Sequence, residues 1–480
     1  MLRASVAAEC AGVPSVSLVC EGFERQALAT GRGLGFDAMR LAVLRGHVDA
    51  QSADEILDGL RRFTFDEIVN GLTSPLQVGI ETANPEPASL DIVVTGSIDE
   101  INEAFGRQGW SDGLPVVPPT QARVQAFLAE SGHDPWRVLA TARPSGRDVT
   151  VWSVAVNAVL SGCLPEHLPI LLALTDVLTD PNYGVEHSGN TTGADALIIL
   201  NGAIGAELGF NHGPGALRDG VSTANTRIGR WLRLFLRNVF GFIADEHDKA
   251  TFGNSSRVVL AEDEDALREI GWSSVAMDFG HTRADDVVTV ARMNSGLIVG
   301  SVFGSNPREI VPYLADGLAR VSGWDLTHIY GLGRGQYQPL LVLSPLLART
   351  FSRAGWTKDD LRRALYETAR IPAWRFEKLI GEWSNLTAGH RTLADLVSEG
   401  LVSADFAESD DPNRLVPIVT GAEKFVIAVA GDPHRANAYV MSNDGPHGYW
   451  TSKQIDRTFS DDLVCAVPSV SSGSSTSANM

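Results

Sequence analysis

Two glycine-flanked runs carry the residues best suited to chemistry in this chain. They are Val185-Glu186-His187-Ser188-Gly189-Asn190-Thr191-Thr192-Gly193 and Gly209-Phe210-Asn211-His212-Gly213-Pro214-Gly215. Glycine lets a backbone approach a ligand and leaves its amides free to donate, while Asn, Thr and His aim hydrogen-bonding groups at it. His187 and His212 are suited to proton transfer near neutrality or to metal ligation. Thr191, Thr192, Asn201, Asn211 and Asn225 read as contacts to a small polar ligand. A third cluster, Ser161-Gly162-Cys163-Leu164-Pro165-Glu166-His167, puts Cys163 where one helix ends and the next begins. A thiol near a helix amino terminus with an imidazole close by has its thiolate favoured, which makes Cys163 a candidate nucleophile with His167 or Glu166 as proton acceptor. The bland alternative is a small buried hydrophobe.

Asp112 lies in a loop of Gly and Pro after Trp110, where it would serve as a general base or simply cap the turn. Arg227, Arg230, Arg233 and Arg237 recur at helical spacing and form a guanidinium stripe beside Ile228, Leu232 and Phe235. Such a stripe pairs with carboxylates, for which Asp245, Glu246 and Asp248 are the nearby candidates. Alternatively its first turn binds an anionic substrate, with Asn225 and Arg230 as contacts. Glu166, His167, His187 and His212 are of the right types for zinc or iron, yet their spacing matches no compact motif. The competing reading is that these histidines satisfy turn backbones. No dinucleotide fingerprint or phosphate loop is present, so the sequence assigns no cofactor.

Composition bounds the rest. A chain of 480 residues with 44% hydrophobic and 20% charged content is globular and large enough for more than one core. Its 39 basic residues against 58 acidic ones leave a net charge of −19, which repels phosphate backbones and argues against nucleic acid. The most apolar run, Val154 to Leu178, is interrupted by Asn157, Pro165, Glu166, His167 and Pro169, so no membrane span is expected. Four scattered cysteines without metal-type pairing suit a reducing compartment, and the chain is expected to be cytoplasmic.

The expected fold class is α/β: a partial parallel-sheet unit at the amino terminus followed by a large mixed α/β domain. In the first unit, strands are expected within residues 13–20 and at 41–44, with helices over 21–30 and 52–69, the last opened by Ser52 with Glu55 three residues on. Residues 74–97, with three prolines, read as a linker. The large domain, 98–455, is expected to hold helices at 98–106, 149–161, 167–179, 223–242, 307–322, 358–368 and 373–383. Strands are expected at 196–200, 257–260, 287–293, 340–343, 415–419 and 425–429. Residues 456–480 read as a Ser-rich disordered tail.

Trp110-Ser111-Asp112-Gly113-Leu114-Pro115-Val116-Val117-Pro118-Pro119-Thr120, then Ala158 to Pro165, Asn201-Gly202 and Ala224 to Arg230, resemble a large bacterial domain of unsettled activity associated with the UGSC-motif (seleno)protein family. Gly12-Val13-Pro14 to Ala27 resembles the UGSC-type domain itself, just downstream of its reactive selenocysteine or cysteine. The resemblance implies that residues 1–73 are a truncated UGSC-like α/β unit, that the Gly-Ser-Cys element falls before Met1, and that the chemistry is redox or thiol-related. Ala203 stands where the family tends to have proline.

Three functional classes follow: an enzyme acting on a small anionic substrate with redox or thiol-related chemistry, a non-redox lyase or hydrolase using His and Asp as acid and base, and a non-catalytic partner subunit. The partners expected are the small anion and, by resemblance, a separate UGSC-type redox protein. A homo-oligomer is compatible with all three.

Overall fold

The structure is a computed structural model that describes residues 2–36, 38–75, 87–143, 145–218, 221–253, 259–329, 336–384, 391–444 and 448–457. It is a mixed α/β protein, as expected. The amino-terminal residues form a helix (Leu2–Cys10), β1 (Ser17–Cys20), a helix (Glu24–Gly33), β2 (Leu41–Leu44) and a helical run from Ala53 to Thr73. β1 and β2 pair in parallel, Ser17 opposite Leu41, so each apolar run finds a partner across the intervening helix. Ser52 accepts from the Glu55 amide and the Glu55 carboxylate answers at the Ser52 amide, the reciprocal cap that the sequence signalled.

Beyond the segment 74–97, of which residues 76–86 lie outside the described residues, β3 (Val138–Thr141) and β4 (Asp148–Thr150) form a small antiparallel pair. A second small pair joins β9 (Arg370–Pro372) and β10 (Leu415–Pro417). The main sheet contains β5 (Asp195–Asn201), β6 (Val259–Ala261), β7 (Val287–Val299), β8 (Leu340–Leu343), β11 (Val426–Val429), β12 (Ala438–Asn443) and β13 (Thr451–Gln454). Its order is β11-β8-β12-β7-β5-β6, with β13 also on β7. β5 and β6 are parallel, as are β8 and β11, while β7 runs antiparallel to β5, β12 and β13.

This sheet curls until its edges meet. The Asp263 amide donates to Val429 O at 2.8 Å, and the Val429 amide donates to the Glu262 carboxylate at 2.9 Å. Side chains inside the curl, including Leu197, Leu260, Met293, Leu340, Ala428 and Met441, form one apolar core. The helices Val151–Ser161, Leu168–Thr179 and Thr223–Asn238 cover one side with a second core. The helices Pro307–Val321, Pro345–Arg353, Lys358–Thr368 and Ala373–Ile380 cover another with a third.

Several boundaries differ from the sequence expectation. The helix expected over 223–242 ends at Asn238, because Gly241 takes a φ of 81° that no helix continues. β7 runs to Val299 rather than 293, since Ser295 and Gly296 pair opposite Ser442 and Met441 of β12 instead of turning, with Asn294 taken up in a register shift. The helix expected to reach 383 stops at Ile380, and the strand expected to reach 419 stops at Pro417. Of the tail expected from 456, Arg457 is held by Glu207 and Asp286, and residues 458–480 lie outside the described residues. Among the described residues no helix is long and apolar enough to cross a membrane.

Candidate functional site

The residues expected to share one cavity occupy separate neighbourhoods. Arg230 grips Asp112 bidentately, Nε to Oδ2 at 3.0 Å and Nη2 to Oδ1 at 2.8 Å, and also donates to Leu114 O and Pro115 O. Burial would raise the Asp112 carboxyl, but Arg230 holds it below the usual range. Arg233 pairs with Asp195 and Arg237 donates to Gly109 O. The guanidinium stripe is thus a row of clamps on the 109–115 segment and on β5. Among the described residues Arg230 pairs with Asp112 and Arg233 with Asp195, whereas Asp245 pairs with Arg25 and Lys249.

Asn225 is consumed by the backbone. Its Oδ1 accepts from the Asn211 amide at 2.8 Å, and its Nδ2 donates to Asn211 O and Val259 O. Asn211 in turn bonds Gly213 and Pro214 within its own loop. Asn201 ties the end of β5 to Glu262, Glu264 and the Ala276 amide. These three amides hold loops to the sheet, a role that side chains of this type fill as readily as ligand contact.

Cys163 follows the left-handed cap Gly162, but its thiol is buried and takes a hydrogen bond from Ser161 Oγ at 3.3 Å. Burial pushes the thiol up to about 12, and it pushes the His167 imidazole down to about 4. His167 Nδ1 already accepts from the Leu164 amide at 3.1 Å. Both groups are therefore neutral near pH 7, and the expected favouring of the thiolate by the helix terminus is outweighed by desolvation. Native protein is expected to resist iodoacetamide at Cys163 while exposed Cys10 reacts. Peptide mass mapping before and after unfolding checks this, and equal native labelling of the two would contradict it.

His212 does acquire an acid, but it is Asp263, which the sequence reading missed. Nδ1 stands 3.5 Å from Oδ2, an ion-pair distance longer than a well-formed hydrogen bond. Asp263 raises the imidazole above its ordinary value, and the partner shift agrees: burial opposes, yet His212 and the Ala266 amide hold the carboxyl low. The Gly431 amide donates to His212 O at 2.7 Å, bringing the loop after β11 to this point. Among the described residues no three His, Cys, Asp or Glu side chains are grouped to hold a metal ion, so Glu166, His167, His187 and His212 do not assemble one.

The run from 185 to 193 lies elsewhere, beside the amino-terminal residues, and it is clamped at both ends by a buried ion pair. Arg292 donates to Tyr183 O at 2.9 Å and Gly184 O at 3.2 Å, and stacks over the Tyr183 ring. Its Nε stands 3.5 Å from Asp444, which accepts from Asn190 Nδ2 at 2.6 Å. Asn190 Oδ1 then receives Thr192 Oγ1 and the amides of Gly193 and Ala194. Thr192 Oγ1 also reaches Asn294 Oδ1 at 3.3 Å, and Asn294 Nδ2 donates to buried Asp325 at 2.6 Å. On its outer side the run is zipped to residues 247–251: the Lys249 amide donates to Gly189 O and the Thr251 amide to Thr191 O. Gly189 is required there, since a Cβ would stand 2.0 Å from His247 O.

Where this run meets the amino-terminal unit there is a cavity of about 530 Å³. Arg3, Gln26 and Thr30 line it from one side and Arg143, Glu186 and His247 from the other. Arg3 Nη1 stands 2.9 Å from Glu186 Oε1 and Arg143 Nη1 stands 3.9 Å from the same oxygen. Burial would raise the Glu186 carboxyl, but its own backbone amide and Arg3 hold it below the usual range. Two guanidinium groups against one carboxylate leave the lining cationic, in a protein whose net charge is −19. Lys249 Nζ donates to Gly22 O at 2.9 Å and joins the two sides again. His187 lies next to Glu186 on the same 3-10 turn. His187 itself is not among the residues that line the cavity. Arg3, Arg143 and His247 were not singled out, because a lone Arg or His carries no local signal when its partners are distant in sequence.

Residues 1–74 match the model of the UGSC family, so the side of the cavity formed by Arg3, Gln26 and Thr30 belongs to the matched segment. No curated protein and no solved structure matches the chain.

Proposed function

We propose that this protein is an enzyme acting on a small anionic substrate held in the cavity between the UGSC-matched residues and the 185–193 run. The observation that carries this reading is the pair of arginines, Arg3 from the matched unit and Arg143 from the larger part, meeting at Glu186 in one cavity. A planar anion such as a carboxylate suits two guanidinium forks and would loosen their hold on Glu186. Redox or thiol-related chemistry is the part of the reading that the UGSC match supports, with a separate UGSC-type redox protein as the natural partner. Cys163 does not supply that chemistry in its neutral, buried state.

Calorimetric titration with malonate, and with uncharged malonamide as control, tests the binding step. Malonate is expected to bind and malonamide not to. Arg143→Ala should weaken malonate binding about 10-fold or more, since a hydrogen bond to a charged group contributes roughly 1.5–3 kcal/mol. Absence of malonate binding, or indifference to both Arg143→Ala and Arg3→Ala, would overturn the reading. The second reading, a lyase or hydrolase using acid and base, is favoured by one observation, the His212–Asp263 pair at the carboxyl ends of β6 and β11.

A further inference from the structure

Glu186 is the least movable charge of the cavity wall. It sits on the turn Val185–His187, entered from Gly184 at a φ of 60°, and Gly184 O is held by Arg292 at 3.2 Å. Arg3 and Arg143 reach it on long side chains that are 51% and 60% exposed, against 12% for Glu186 itself. An anion taken by the two guanidinium groups therefore draws them away from a carboxylate that stays behind. Burial works against the Glu186 charge, and its own backbone amide and Arg3 keep it ionised. Once Arg3 turns to a ligand, Glu186 is a half-buried charge in want of another cation, and leaving such a charge unpaired is costly. No other Lys or Arg lines the cavity among the described residues. His247, the remaining titratable group of the lining, has Nδ1 against Gly241 O and Nε2 enclosed, which leaves it no ring nitrogen to offer Glu186. The replacement cation has to arrive with the ligand.

We infer that the ligand of this cavity is an α-amino dicarboxylate, its two carboxylates taken by Arg3 and Arg143 and its ammonium by Glu186. The inference rests on the anionic-substrate reading above and deepens it by naming the substrate class. Two guanidinium groups and one carboxylate on the wall are complemented by two carboxylates and one ammonium on the ligand. Such a ligand keeps a net negative charge. Its carboxylates match the planar guanidinium forks, while its ammonium is a compact charge of the kind one carboxylate accepts. Arg3 Nη1 and Arg143 Nη1 stand 2.9 and 3.9 Å from one and the same oxygen of Glu186, so the ligand's charges must lie close together, as on the carbon skeleton of aspartate. The cavity of about 530 Å³ is of the size that holds small molecules, and Leu34, Ala142 and Phe242 give the ligand's carbon atoms an apolar wall. A plain dicarboxylate satisfies the arginines but leaves Glu186 bare, and so binds less tightly.

Calorimetric titration with L-aspartate and with succinate, its counterpart lacking the amino group, reads this directly. Wild-type protein is expected to bind aspartate about 10-fold or more tightly than succinate. Glu186→Gln should lose that preference by weakening aspartate while succinate keeps its affinity, a split that a merely structural loss does not produce. Failure of malonate, succinate and aspartate alike to bind wild-type protein would sink the anionic-substrate reading and this inference with it. Succinate binding as tightly as aspartate to wild-type protein would overturn the amino dicarboxylate alone. So would a preference for aspartate that survives Glu186→Gln, or an equal weakening of both ligands in that variant. If Glu186→Gln unfolds, wild-type protein still decides through N-acetyl-L-aspartate, whose blocked amine should bring its affinity down to that of succinate.

Discussion

Asp444→Ala is expected to lower the free energy of unfolding by about 3–5 kcal/mol, the cost of leaving a buried charge without its counter-ion. Arg292 and Asp444 are both 1% exposed in their side chains, so water replaces nothing when one is removed. The change also frees Asn190 Nδ2, whose bond at 2.6 Å anchors one end of the 185–193 run, while Arg292 continues to hold the other through Tyr183 O and Gly184 O. Stability and ligand binding should therefore fall together. Urea unfolding measures the first, and malonate titration of the folded fraction the second. A loss below about 1 kcal/mol would show that the pair is solvated in solution and that the run is held by other means. Gly448→Ala offers an independent route to the same clamp, since a Cβ there would stand 2.1 Å from Tyr183 O and 2.6 Å from Arg292 Nη2.

Raising the pH from about 4 toward 7 should strip stability from this protein through two buried acids. Burial pushes Asp325 from 3.8 and Glu262 from 4.5 up to about 7 in the folded state. A carboxyl whose folded value exceeds its unfolded one binds its proton more tightly when folded, so its contribution is complete below the unfolded value. That contribution disappears as pH rises through the folded one. Each acid is expected to contribute up to roughly 3–4 kcal/mol across that window, since a tenfold change in proton affinity corresponds to about 1.4 kcal/mol. His167 acts in the opposite sense. Its folded value, down at about 4 from 6.5, means that acidification toward pH 4 favours the unfolded chain. The three contributions separate by substitution. Asp325→Asn keeps an acceptor for Asn294 Nδ2 and should flatten the loss on the neutral side. Glu262→Gln should flatten it too but at a lower overall stability, because Glu262 accepts from the Val275 and Val429 amides and from Asn201 Nδ2, where an amide nitrogen would clash. An Asp325→Asn protein with the wild-type slope between pH 5 and 7 would remove Asp325 from the account.

What could be read from the sequence was local. The helix start at Thr357 was visible because Thr357 and Asp360 form a reciprocal cap three residues apart, and that bond is present. β5, β8 and β11 were visible as apolar runs buried on both faces. β12 and β13 were not, because Ser442 and Asn443 or Ser452 and Lys453 dilute the apolar pattern and their ladder partners are far along the chain. The site followed the same division. That residues 185–193 form a built loop was legible in their glycines and amides. That Arg230 would be spent on Asp112, 118 residues away, was not, nor that His212 would find Asp263. Local spacing names residue types, whereas the partner that decides each one's protonation and freedom is a product of the fold.

The meeting of the curled sheet's two edges has a consequence for biogenesis. Glu262 and Val429, which join them, are 167 residues apart. Until the second of these leaves the ribosome, the first edge has its amides and carbonyls open to any extended chain nearby. Synthesis of the middle of this protein therefore passes through an interval in which that edge lacks the partner that later covers it.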